Sequence, residues 1–448
     1  MKRILLVVVF FVFATPAAHG AEYENSAGEI SLFKSWLGQK TATGDWQGLR
    51  SQLEDDGITI SSSFTTDIGG NPVGGLKKRM IYSGFLDVGL AFDFEKIASL
   101  DGLALTIGNY LASGNDLSNA VGNSFSVQEI YTPGNYFFGE LDFSLSLLDD
   151  TLILEAGRLF AGDTFARSRI WEYYVSGGIN DNLNSISENI FFSTFTTAAW
   201  AVRTTYQPRK EWYAIAAMYN ADARIEKPKN YGTYFNFAMD SGYLAMGQLT
   251  YKHNQSRKDD GLPGSASFGC YYQSSRFQDL AIPSKRWHGN YGFYIMADQM
   301  IYKGYWPPYK GPRYLRAGSS RTERVKHPYD WQMVAAADRP EGLTAWAAAY
   351  LAPQEHTNTQ TYQLAGGLLC QGLPHNRDYD VTAFCVILGN FSNQLEGQKM
   401  ETVLELNHRF QVGPWLYITP DVQFVINPNG RRDIRNALVL DLELSFDF

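Results

Sequence analysis

The chain has 448 residues, 45% of them hydrophobic, 15% aromatic and 19% charged, with a formal net charge of −8. A mean hydropathy of −0.24 and the lack of any apolar run of about 18 residues exclude a helical membrane protein, and the acidic balance argues against a nucleic-acid partner. Three cysteines, Cys270, Cys370 and Cys385, are too few and too irregularly spaced for a disulfide scaffold or a zinc site. What remains open is a β-barrel with one face in lipid, which the 27 Tyr, 28 Phe and 41 Gly suit, or a secreted β-sandwich enzyme or lectin of similar composition.

The chain opens with Lys2 and Arg3, an unbroken apolar run from Ile4 to Phe13, and small residues up to Gly20, with Ala18 and Gly20 in cleavage-site positions. Residues 1–20 read as a secretory signal peptide cut after Gly20 or Ala21, the apolar run being too short to span. Its loss takes away two positive charges and no negative ones, so −8 becomes −10. Residues 21–56 form an N-terminal periplasmic segment. Within it, Gly44 to Asp56 reads as a short helix with Trp46, Leu49 and Leu53 on one face, Asp45 at its start and Gly57 as its stop. Its simplest role is to pack against the periplasmic rim.

From residue 57 to 448 the pattern is period-2 alternation, apolar against polar, over lengths of roughly 9–11 residues that suit a tilted membrane strand. Sixteen strands are expected near 58–67, 80–94, 102–110, 137–148, 151–159, 197–207, 211–220, 241–252, 266–277, 289–302, 342–352, 361–371, 381–391, 401–412, 415–426 and 436–448. Short connections at Asp149-Asp150, 207–210 and 412–414 alternate with long ones at 111–136, 160–196 and 221–240, the rhythm of periplasmic turns and extracellular loops. An even count closes an all-β, antiparallel transmembrane barrel with both ends in the periplasm. Residues 303–341, with Trp331 inside them, are long for a turn and read as an insertion. Pro420 within a strand implies a bulge or a missing ladder bond. The last strand is the clearest: Leu438, Leu440, Leu442, Leu444, Phe446 and Phe448 alternate with Val439, Asp441, Glu443, Ser445 and Asp447. A final strand ending in an aromatic is the signal read by the outer-membrane barrel-assembly machinery.

A barrel that passes solutes needs a constriction, and the inward-folding loop is placed at 160–196. The strand before it carries Glu155 and Arg158. The loop carries Asp163, Arg167, Arg169, Trp171, Glu172, Tyr173 and Tyr174. Charges of both signs beside aromatic rings suit polyols: carboxylates accept from hydroxyls, arginines donate in pairs, and rings stack on the apolar face of a sugar. A ring of one sign would select ions instead. Arg158 shares the parity of lipid-facing Leu154, so it points inward only if Gly157 bulges or the strand ends there. Across the barrel, alternation turns Glu401, Glu405, Arg409, Asp421, Gln423, Asp441 and Glu443 inward, because Arg or Lys facing lipid near midplane costs roughly 2–4 kcal/mol. Cys370 and Cys385 flank a turn centred near Arg377 with equal parity, so they could face each other across adjacent strands, as a disulfide or as two unlinked thiols on the apolar face. No G-x-S-x-G, H-E-x-x-H or phosphate-binding loop occurs, and no metal, cofactor or catalytic role is expected.

Several segments together resemble the carbohydrate-selective porins of the OprB type. They are Gly44-Asp-Trp-Gln-Gly-Leu-Arg50 with Leu53, Gly57 and Ile58; Gly157-Arg158 with Phe165; Ala199-Trp200, Tyr206-Gln-Pro208, Trp212-Tyr213 and Tyr219-Asn220; Gly289-Asn-Tyr-Gly292 with Asp298-Gln299; Gly372-Leu373 with Arg377 and Asp380; and Pro420-Asp-Val-Gln423 with Asn427-Pro428. Their order along nearly the whole chain makes the set specific. The resemblance implies a sixteen-stranded porin of the Gram-negative outer membrane, passive diffusion of sugars such as glucose, and a pore lined by Arg and carboxylates. Two departures stand out: the constriction loop lacks the cysteines of many members, and 303–341 is longer than the family's turn. The implied partners are outer-membrane lipids and lipopolysaccharide, the assembly machinery through Phe448, and small sugars, in a monomer or homotrimer. The alternatives are a general or non-sugar channel of the same fold, an outer-membrane barrel enzyme with a Ser–His pair at its rim, and a secreted lectin.

Overall fold

The computed structural model describes residues 33–255, 259–304, 341–372 and 377–448. Sixteen strands lie in them: β1 Ile58–Val73, β2 Met80–Asp93, β3 Leu103–Gly114, β4 Tyr136–Leu147, β5 Leu152–Leu159, β6 Ala199–Arg209, β7 Trp212–Asn220, β8 Tyr243–His253, β9 Gly264–Gln278, β10 Arg286–Lys303, β11 Gly342–Leu351, β12 Gln360–Gln371, β13 Val381–Phe391, β14 Met400–Gly413, β15 Leu416–Ile426 and β16 Ala437–Asp447. Each pairs antiparallel with its sequence neighbour, and β1 pairs β16 to close the barrel. All sixteen fall where the alternation put them, with β1 and β3 running further toward the long loops. No helix among the described residues is long and apolar enough to cross a membrane, so the strands do.

The alternation is physically a division between two solvents. In β16, Leu440 and Leu442 stand on the outer surface, 47% and 37% exposed, while Val439, Asp441, Glu443 and Ser445 are buried inside. Outer positions have no protein neighbour to cover them, and lipid takes that place. Pro420 also faces out. The register of β15 against β14 holds across it, but the ladder lapses between Asn407↔Asp421 and Phe410↔Ile418. The missing bond, rather than a bulge, is how the strand accommodates a residue without an N–H.

The cysteines differ from expectation. Cys370 is the register partner of Thr382, and Cys385 that of Gly367, so they lie on opposite faces of the sheet. Cys385 is buried inward, Cys370 is on the outer face, and all three cysteines are free. An even and an odd residue number on paired antiparallel strands share a face only if the register sum is odd. Here it is even, which rules the disulfide out.

Before β1, a helical turn at 33–37 precedes a one-turn 3-10 segment (Trp46–Gly48) and helix α1 (Leu49–Asp55). The Asp45 carboxylate accepts from Ser51 N (2.9 Å) and Ser51 Oγ (2.8 Å), bracing the helix start. Gly57 ends the helix at φ +92°, where a Cβ would lie 2.9 Å from Asp93 O. None of the helix residues is fully buried, so α1 rests on the rim at the start of β1. The segment ahead of it clasps the barrel seam. Trp36 packs on Trp415 at 4.3 Å, and Ala42 N donates to Asp447 O at 2.8 Å. Residues 1–20, read above as a signal peptide, lie outside the described residues. So do residues 305–340, with Trp331, the segment expected to be an insertion between β10 and β11.

Three long connections leave the opposite rim: 115–135, 160–198 and 221–242. Two fold into the barrel and one stays outside, and this division builds the site.

Candidate functional site

A chain segment folded into a barrel brings backbone N–H groups that need acceptors. The barrel wall supplies them from β14. Glu401 accepts from Ser124 N (2.8 Å), Phe125 N (2.9 Å) and Asn429 N. Glu405 accepts from Val175 N (2.7 Å), Ser176 N (3.2 Å) and Asn407 Nδ2 (2.8 Å). Gln423 Nε2 donates to Val127 O at 2.9 Å. On β12, Gln363 accepts from Ser185 N (3.0 Å) and donates to Gly178 O (2.7 Å). Glu401, Glu405 and Gln423 therefore face inward, as alternation placed them, and the two carboxylates and the Gln423 amide nitrogen tether loops 115–135 and 160–198. The inward path of loop 115–135 was not foreseen. Its signal was faint: Leu117, Val121, Phe125 and Val127 are apolar residues scattered through a loop rich in polar ones, and all four are fully buried.

The loop interior is apolar. Phe165, Ile170, Trp171, Ile179 and Ile186 form one core with inward residues of the far wall. Trp171 is 1% exposed and lies 5.5 Å from Trp346, so it serves packing rather than stacking on a solute. Tyr174 accepts from Trp346 Nε1 at 2.8 Å and donates to Phe384 O at 3.1 Å. At the loop's start Glu155 meets Arg203 in a fork (2.7 and 2.5 Å). Arg203 also donates to Thr164 Oγ1 (2.6 Å) and Phe160 O (3.3 Å). The pair is 0% and 7% exposed, so Glu155 is committed to it. Sequence reading passed over Arg203, although pairing of β5 with β6 sets the two residues side by side.

Arg158 requires a correction. The registers of β5 with β4 and β6 run unbroken through Gly157. Three residues on from inward Glu155, Arg158 therefore points out of the barrel. It is nonetheless 0% exposed. Loop 221–242 folds back over the outer wall and covers it: Arg158 donates to Ala198 O (2.9 Å) and Gly232 O, and lies over the rings of Phe138 and Phe235. Trp200 stacks on Phe237 at 4.3 Å beside it. Gly232 is required at φ +68°, since a Cβ would fall 2.0 Å from Phe138 O. The guanidinium has all its bonds from protein and no route to the lumen.

The remaining groups converge between the tip of loop 160–198 and the wall of β14, β15, β16 and β1. Arg167 pairs with Glu172 (2.6 Å) and Asp181 (3.4 Å) and keeps about a quarter of its side chain exposed. Arg169 is also partly exposed. Opposite, Arg409 is held between Tyr417 (4.2 Å) and Tyr173 (5.0 Å), donates to Glu172 O (2.8 Å) and approaches Glu443 (3.4 Å). Asp421, Asp441 and Glu443 line the wall behind, joined by Asp67 from β1 and by Glu129 from loop 115–135. Burial, reinforced by Glu443 and Asp67, raises the Glu129 carboxyl well above its ordinary range. Asp163 sits at the loop's base, where burial, partly offset by Arg167, pushes it up to about 7. The sequence-singled residues thus divide. Arg167, Arg409 and the β15–β16 carboxylates gather at one constriction, Arg169 stays partly exposed on the same loop, and Glu155, Trp171, Glu401, Glu405 and Gln423 brace it. Among the described residues, no three His, Cys, Asp or Glu side chains converge as metal ligands.

A closed sixteen-stranded membrane barrel narrowed by inward loops with a two-sign polar constriction is an outer-membrane porin. Comparison with known proteins makes the assignment specific. The family model for the carbohydrate-selective porin, OprB family, matches residues 77–448, and the chain belongs to that family. Porin B of Pseudomonas aeruginosa is 22% identical over 474 aligned positions, covering 96% of this chain and 94% of its own. A provisionally named porin, QuiX, of Acinetobacter baylyi is 24% identical over 442, covering 93% of each. The high-pH structure of Pseudomonas putida OprB superposes with a TM-score of 0.77 at 20% identity, covering 92% of this chain and 99% of that one. The protein is a channel of the outer membrane and not an enzyme.

Proposed function

We propose that the constriction passes small neutral sugars, glucose among them, by passive diffusion. The observation that carries this reading is the Arg409 guanidinium packed between the rings of Tyr173 and Tyr417, facing the Arg167–Glu172 pair of the loop. Donors, acceptors and aromatic faces within one narrow passage match a polyol, which needs all three at once. The partly exposed arginines and carboxylates exchange hydrogen bonds with successive hydroxyls, while the Glu401 and Glu405 tethers behind them keep the passage from closing or widening. The chemistry is non-covalent, and membership of a carbohydrate-selective family supports it.

The test is planar-bilayer conductance of the purified protein with glucose, maltose and charged competitors. Sugar lowers the current in a saturable way, and Arg409→Ala weakens that block about tenfold, the loss of roughly 1.4 kcal/mol that one charge-assisted hydrogen bond supplies. Arg158→Ala leaves it unchanged. A current indifferent to every sugar and sensitive to amino acids or anions would overturn the assignment.

A further inference from the structure

The carboxylates of the lumen wall fall into two groups, and only one is explained by the fold. Glu155, Glu401 and Glu405 each have an arginine or backbone N–H donors. A second set does not. Asp67 is 0% exposed and neither of its oxygens has a hydrogen-bond partner. One oxygen each of Asp421, Asp441 and Glu129 is also buried without a partner. These groups are forced together by register: Asp67 lies directly opposite Glu443 across β1–β16, and Asp421 directly opposite Asp441 across β15–β16. Like charges so placed repel, and Arg409 is the one cation paired to the set among the described residues. Uncharged groups point the same way. Thr419, the register partner of Glu443, and Gln128, 0% exposed and beside Asp441, are both buried against these carboxylates without a well-aligned bond. Four carboxylates with spare oxygens, beside a fifth, Glu443, that shares the single Arg409, make one wall a surface lacking its counter-charge.

We infer that this wall is a cation path, so the pore passes monovalent cations and amine-bearing sugars in preference to anions. It deepens the reading of the same constriction as a sugar passage and rests on it. The form of the site fits a mobile cation. The described residues offer no converging set of metal ligands; instead the oxygens run along β1, β15 and β16, as acidic linings do in cation-selective pores. A low-dielectric wall of one sign concentrates counter-ions in the passage beside it.

The experiment is the reversal potential of the purified full chain in a planar bilayer across a KCl gradient at pH 8, followed by block with glucosamine and glucose. The expected result is a cation-over-anion permeability ratio on the order of ten, the lower end of what one-sign clefts achieve, and stronger block by glucosamine than by glucose. Asp67→Asn and Asp441→Asn each lower the ratio, and together bring it close to one. Both are isosteric and relieve repulsion, so folding, read by heat-dependent gel mobility, is retained. Asp433→Asn, on the exposed loop before β16, leaves the ratio unchanged. A wild-type ratio at or below one at pH 8, or a double variant that keeps the wild-type ratio, overturns the inference. Sugar block without cation preference removes the inference alone, whereas cation preference without any sugar block removes the sugar reading and leaves the cation path standing.

Discussion

At the scale of single residues, the molecule separates holding from handling. Glu405 holds: its two oxygens take the amides of Val175 and Ser176. Glu405→Gln keeps the shape and removes the charge, turning one acceptor into a donor that faces N–H groups. A weakening of about 1–3 kcal/mol follows, and the expected outcome is a noisier, larger single-channel current, because the tip of loop 160–198 is released from β14. Asp163 gives a pH effect with a definite sign. Its pKa in the folded chain, about 7, lies above the ordinary aspartate value of 3.8. The native loop therefore binds the proton more tightly than the unfolded one. The stability this contributes is full below the unfolded value and is lost as pH rises through 7. Partial solvent contact keeps the loss to about 1–2 kcal/mol. Asp163→Asn removes it, so hydrogen exchange across 160–198 at pH 8 should be slower in the variant than in the parent, with the two alike at pH 4.

At the scale of elements, strands were legible and loops were not. A strand in this barrel reports its two environments at every second residue, and Leu438 to Ser445 can be read without knowing any partner. Where a loop lands depends on contacts hundreds of residues away, such as Ser124 on Glu401, and no local pattern carries that. Arg158 makes the point. Its parity indicated the outer face, and only a bulge at Gly157 could have turned it in. The function assigned to charged residues pulled it inward, while the actual solution, a cap from loop 221–242, had no local signal. The cysteine pair failed differently, through a turn centre misplaced by a residue or two. The β5–β6 pair carries a prediction at this scale. Arg203→Met leaves Glu155 buried without its partner, at a cost of about 3–5 kcal/mol. Since the pair fixes the first turn of loop 160–198 as well as two strands, the temperature at which the folded band is lost on gels should fall clearly below that of Arg409→Ala, because Arg409 packs mainly on the half-buried Tyr173, Tyr417 and Glu172.

At the scale of the whole molecule, the barrel is a boundary between lipid and an internal polar phase, and position relative to it decides the consequence of a charge. Leu442→Lys places an ammonium on the outer face of the last strand, with an expected penalty of about 2–4 kcal/mol near midplane. Ser445→Lys, on the inner face of the same strand, costs far less. The paired measurement is the fraction of folded protein recovered after dilution from urea into detergent or lipid. Equal losses for the two variants would contradict the inside–outside assignment of β16. The same boundary explains why composition was a weak guide to function: the outer face is set by lipid and the wall interior by loop tethers, so the few residues left to act on a solute are a small share of the chain.

The tethers also impose an order on assembly. Ser124 and Phe125 are fastened to Glu401, and Val175 and Ser176 to Glu405, across sequence separations of 277 and 230 residues. Contacts so distant cannot form until strands from both ends of the chain are in the sheet, whichever end is laid down first. For most of its assembly the barrel wall therefore exists without its narrow passage. Selectivity comes late, and a sheet lacking β14 would leave two loops with nowhere to attach.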